Sequence, residues 1–80
     1  MNDRDLVQRI GELADEEHRL EKAHAGAAPS EQDVRDLRAI EVTLDQCWDL
    51  LRQRRARRNV GADPDDAVVR PASTVEGYQQ

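Results

Sequence analysis

The sequence holds a single cysteine, Cys47, no phenylalanine, one tryptophan and one tyrosine. One cysteine cannot close an intrachain disulfide, and with two histidines it does not complete a structural zinc site. No run approaches the ~20 consecutive apolar residues of a membrane-crossing helix, and the mean hydropathy of -0.89 points the same way. The opening residues carry Asp3, Arg4, Asp5 and Arg9 in place of a basic start and an apolar run, so no secretory signal is legible and the expected location is the cytoplasm. Four scattered glycines, with Ser30 and Ser73 the only serines, supply neither a phosphate-cradling loop nor a Ser/His/Asp nucleophile. The chain therefore reads as non-enzymatic, with no cofactor implied. A surplus of positive charge is missing too: the net charge is -5 and the pI near 4.9, which opposes a general nucleic-acid-coating role.

What remains, in 80 residues, is room for one domain and a strong helical pattern. From about residue 3 to residue 25, Leu6, Ile10, Leu13 and Leu20 recur at helical spacing, with Glu17 and His24 continuing the stripe. Asn2 or Asp3 caps this helix, and Asp5 suits the positive end of its dipole. Ala25-Gly26-Ala27-Ala28-Pro29 breaks the pattern, and Ser30 followed by Asp33 marks a second start. The second helix spans about 31 to 59. Leu37, Ile40, Leu44, Cys47 and Leu51 form a coiled-coil-like seam in heptad steps, with Val34, Glu41 and Trp48 as a flanking stripe and Gly61 as the stop.

Two helices joined by so short a loop fold back antiparallel. A register in which paired numbers sum to 57 sets Leu20 against Leu37, Leu13 against Leu44, Ile10 against Cys47 and Leu6 against Leu51. The expected fold is all-α: an antiparallel two-helix hairpin over 1–61 and an extended, Pro-containing tail over 62–80. Val68, Val69, Val75 and Tyr78 give the tail enough apolar character to lie along a groove, and residues 73–76 can cap one short turn. Trp48 and Val34 lie beside the seam, so the apolar face is wider than one partner helix covers. A core this small, with no staple, points to a homodimer forming a four-helix bundle.

Few residues suggest chemistry. Glu17, Glu21 and His24 include a Glu-x-x-His spacing that sets two metal ligands on one helical face, weak candidates beside the reading that Glu17 pairs with Arg38 and His24 caps the loop end. Arg52, Arg54, Arg55, Arg57 and Arg58 form a run free of acids and of aromatics, a possible basic contact or else cations that suit a helix C-terminus, screen Asp3 and Asp5 across the hairpin and keep the overhang solvated. Trp48, with Leu44, Cys47 and Leu51, forms the candidate interaction face, since a wide indole can anchor a partner. Cys47 reads as a small core hydrophobe. Asp63-Pro64-Asp65-Asp66 lacks the ligand order of a calcium loop and reads as a turn.

The block Leu44-Asp45-Gln46-Cys47-Trp48-Asp49-Leu50-Leu51-Arg52-Gln53-Arg54-Arg55-Ala56 resembles a family of small actinobacterial proteins classed as a domain of unknown function. Glu16-Glu17-His18-Arg19-Leu20, Val69-Arg70-Pro71 and Val75-Glu76-Gly77-Tyr78 extend that resemblance over most of the chain apart from the loop near Gly26. It implies no reaction, ligand or partner. Leu37-Arg38, Leu44-Asp45 and Leu50-Leu51-Arg52 also resemble the first helix of helical chorismate mutases, but that family needs a further long helix with polar catalytic groups where this chain turns into its tail.

The leading expectation is a non-enzymatic protein–protein interaction module, a homodimeric bundle with an unidentified protein partner and no membrane contact. The alternative is a small transcription-associated regulator contacting polymerase or nucleic acid through the Arg-rich helix end, and the third a metal-binding helical bundle.

Overall fold

The computed structural model describes residues 2–23, 26 and 28–77, without the side chains of the last two. Its elements are α1 (Asp3–Ala23), α2 (Glu31–Asn59), a 3₁₀ turn (Pro64–Asp66) and a short α3 (Ala72–Gly77), with no strand among the described residues. The first helix is described as far as Ala23, and its expected end at residue 25 lies outside the described residues.

Local chemistry sets each boundary. The Asn2 side-chain carbonyl accepts the Asp5 N–H at 2.8 Å and the Asp5 carboxylate accepts the Asn2 N–H at 3.5 Å, so α1 opens on a reciprocal cap. Asp3 is left free to reach across the hairpin. Ser30 and Asp33 form the same box on α2, at 3.1 and 3.0 Å. At the other end Gly61 takes φ +76°, its N–H bonds to Arg58 O and that of Ala62 to Arg57 O. This is the Schellman ending, in which a left-handed residue costs least as glycine.

α1 and α2 pack antiparallel along one seam. Leu6, Ile10 and Leu51 form the buried cluster, with Leu44, Cys47 and Leu50 packed against it. Leu6 and Leu51, each 1% exposed, and the Arg54–Asp3 ion pair at 2.5 Å both obey the register in which numbers sum to 57. Leu13 and Ile40 continue the core toward the loop, where Leu20 and Leu37 are only half-buried. The molecule is elongated, 50 × 25 × 16 Å. A 29-residue α2 accounts for about 43 Å of that length at 1.5 Å per residue.

The tail is more structured than a fully extended run. Asp63 caps its own 3₁₀ turn by accepting the Asp65 N–H at 2.9 Å, with Pro64 supplying a preset φ at the first position. Pro71 then starts α3, its carbonyl accepting the N–H groups of Thr74 and Val75. Both pieces pack on α2, and Val75 is buried, so apolar contact holds a helix too short to persist alone. Among the described residues no helix is long and apolar enough to cross a membrane.

Candidate functional site

α2 presents three faces. The seam toward α1 is apolar. The second face, Gln46, Asp49 and Gln53, recurs at spacings of three and four and receives the tail. Asp49 is 0% exposed, and Arg70 grips it with two guanidinium nitrogens, Nε to Oδ2 at 2.8 Å and one terminal nitrogen to Oδ1. Gln53 donates to Asp49 at 2.9 Å and to the Val68 carbonyl at 2.8 Å, while Gln46 donates to the Arg70 carbonyl at 3.2 Å. Arg70 and, less strongly, Gln53 hold the Asp49 carboxyl below the usual carboxylate range, against burial that pushes it up.

The basic run divides accordingly. Arg54 is buried, donating to Asp3 at 2.5 Å, to the Pro64 carbonyl at 3.2 Å and to Asp65 at 3.0 Å. Asp3 and Asp65 raise its pKa still further. Arg58 reaches the second Asp3 oxygen at 2.8 Å, so hydrogen bonds from Arg54 and Arg58 lower the Asp3 pKa. Arg52 and Arg55 are exposed and Arg57 is half-buried.

The third face, the stripe Val34, Glu41, Trp48 and Arg55, recurs in steps of seven. Trp48 is 49% exposed and Val34 51%. A shallow hollow lies between Trp48, Leu51, Arg52 and Arg55. Of the other residues expected to interact, Leu51 is wholly inside the hairpin, and Leu44 and Cys47 are half-buried against its core. Burial pushes the Cys47 thiol up, which disfavours the nucleophilic thiolate.

Toward the loop, acids gather around one half-buried carboxylate. Glu17 is half-buried, and burial, followed by the nearby Glu21, Glu41 and Asp45, raises its pKa. No Glu17–Arg38 ion pair forms among the described residues. His24 lies outside the described residues, as does Tyr78, and within the described set no three metal-ligating side chains converge.

The Asp49–Arg70 pair was not legible in the sequence. Asp49 sits one residue after Trp48 in a helix crowded with charge, and nothing local separates a buried aspartate from a solvated one. The only signal was Arg70, the one basic residue in the tail, placed between Val68-Val69 and Pro71.

Over residues 2–80 the chain matches the family described as protein of unknown function (DUF2630). The chain belongs to this family. Uncharacterised proteins of Mycobacterium bovis and of Mycobacterium tuberculosis are 53% identical to it over 78 residues, covering 95% of this chain and 88% of each relative. The actinobacterial resemblance thus holds, and the family description carries no activity. No solved structure matches the chain.

Proposed function

We propose that this protein is a non-enzymatic protein–protein interaction module that works as a homodimeric helical bundle in the cytoplasm. The observation that carries the reading is the contrast between two faces of α2. The tail covers Gln46, Asp49 and Gln53, whereas Trp48 and Val34 stay half-exposed among the described residues. A half-exposed tryptophan between valine and arginine has the composition of an interface anchor, where aromatic area is desolvated and a polar rim excludes water. The exposed anchor of this reading is Trp48, with Leu44 and Cys47 half-buried beside it and Leu51 in the core beneath, on a hairpin over 1–61 followed by the tail 62–80.

The elongated shape supports the same conclusion. With a thickness of 16 Å, the molecule is a single layer of helices, and a second layer gives the apolar flank something to bury against. The test is solution mass by light scattering over a range of concentration. The expected result is a mass near twice 9.1 kDa that falls toward the monomer on dilution. A monomer at every concentration, with the Trp48 emission of a solvent-exposed indole throughout, overturns the homodimer.

A further inference from the structure

The third face of α2 carries a symmetry that the other two lack. Trp48 is its midpoint: Glu41 lies seven residues before it and Arg55 seven residues after, on the same stripe. Each is about 10.5 Å from the tryptophan along the helix axis at 1.5 Å per residue. Asp45 and Arg52, three before and four after, reinforce the two signs.

Within the chain, Arg52 contributes at longer range to holding the Asp49 carboxyl low. None of Glu41, Asp45, Arg52 and Arg55 closes an ion pair with another described residue, while Asp3, Asp49, Asp65, Arg54, Arg58 and Arg70 do. The acidic end is electrostatically uncomfortable, since Glu21, Glu41 and Asp45 act on a half-buried Glu17 that closes no ion pair among the described residues. Positive charge brought to that end relieves the repulsion, and Arg55 and Arg52 of another molecule carry it.

Resting on the homodimer reading, we infer that the occupant of this face is a second copy of the chain, its α2 laid antiparallel with the two-fold axis at Trp48. In that arrangement residue numbers on the two α2 helices sum to 96. Trp48 meets Trp48 of the second copy, Glu41 faces Arg55 of the second copy, Arg55 faces its Glu41, and Asp45 lies beside its Arg52. An isologous interface needs one patch to be its own complement, and a stripe with acid before and base after a central aromatic meets that requirement. A parallel arrangement sets Glu41 against Glu41 and Arg55 against Arg55, which like-charge contact disfavours. Arg58, which the antiparallel register brings level with Arg38 of the second copy, is already turned to Asp3 at 2.8 Å. The indole supplies the desolvated anchor, and the charge pairs fix orientation.

The experiment is a charge-swap cycle on the full chain, read as the dimer dissociation constant by sedimentation, with helical circular dichroism as the control on folding. Glu41→Arg alone and Arg55→Glu alone each weaken the dimer about tenfold or more, because each puts two like-charge contacts in every dimer. The double variant Glu41→Arg/Arg55→Glu restores the constant to within about threefold of the parent, the coupling expected of residues in contact. A wild-type dimer in which the two single effects simply add overturns this inference and leaves the homodimer reading standing on another face. A wild-type monomer sinks both. A second measurement does not depend on the affinity of the variants: with Cys47→Ser as background, chains carrying Glu41→Cys are mixed with chains carrying Arg55→Cys and oxidised. Disulfides between unlike chains support the antiparallel register. Disulfides within each population alone overturn it, since the two Glu41 positions lie about 21 Å apart along the axis when Trp48 is the midpoint.

Discussion

The two ends of this hairpin are built from the same alphabet and held together differently. At the open end, Leu6, Ile10 and Leu51 are packed to near-complete burial, and the tail adds the Asp49–Arg70 and Asp3–Arg54–Asp65 linkages over them. At the loop end Ile40 is buried, Leu20 and Leu37 are half-buried, and Glu17 faces acids without an ion pair among the described residues. The difference is a third segment. Where the described tail lies on α2, its ion pairs are geometrically fixed by the packing; toward the loop no such pair forms among the described residues.

The sharpest way to test that contrast is to remove the same methyl groups at each end. Leu51→Ala is expected to cost about 3 to 4 kcal/mol, the range for a fully buried leucine that leaves a cavity, and Leu20→Ala about 1 kcal/mol or less, since water already reaches it. Urea unfolding followed by helical circular dichroism reads both, and equal costs would erase the distinction between the ends.

A step smaller is the tail anchor. Arg70→Met leaves Asp49 buried without its partner, for an expected loss of about 2 to 3 kcal/mol, less than a fully enclosed pair because the arginine is partly exposed. The loss should fall on the tail: amide exchange at residues 64–75 accelerates while exchange in α1 near Leu13 changes little. Replacing Asp49 by Asn in the same chain should recover part of the loss, as it removes the stranded charge.

Acidity separates the two ends by sign. The carboxyls of Asp3 and Asp49 lie below their unfolded values, so their stabilisation is complete above about pH 4, the ordinary aspartate range, and is lost as pH falls through the lower folded values. The Glu17 carboxyl is raised, so its ionised form opposes the fold at neutral pH and that penalty fades as pH falls through the folded value. Amide protection near the loop is therefore expected to hold or rise slightly on mild acidification, while tail protection collapses only in stronger acid. A simultaneous loss at both ends would contradict this.

The smallest effect is Glu17→Gln. Removing one member of a like-charged pair with Glu21, four residues on, should stabilise the chain by about 0.5 kcal/mol at pH 7 and by almost nothing once Glu17 is protonated. Thermal unfolding at the two pH values measures it, and a destabilisation at pH 7 would mean that Glu17 has a favourable partner.

Most of the scaffold was legible from residue types. Ser30 with Asp33, and Gly61 followed by Ala62, are local devices whose hydrogen bonds close within a few residues, so spacing alone reveals them. The seam was legible because Leu6, Ile10, Leu13, Ile40 and Leu51 repeat at the helical period. The site was less so. Trp48 stands out by its size, but that the tail leaves it half-exposed follows from where the chain lies after Gly61, and the Arg-rich run looked uniform although Arg54 and Arg52 meet opposite surroundings.

By itself the sequence determined two helices, the opening caps of both, the Gly61 stop of the second, their antiparallel return and the register of their seam, because period, caps and loop length act over distances of a few residues or along one helix face. Only the tertiary structure decided which charges are buried and which stay open. Asp49 and Arg70 are 21 residues apart, and Asp3 and Arg54 are 51 apart; their burial depends on the tail lying along one face of α2 and leaving the Trp48 face uncovered. That choice is made by packing between segments, which no local pattern encodes.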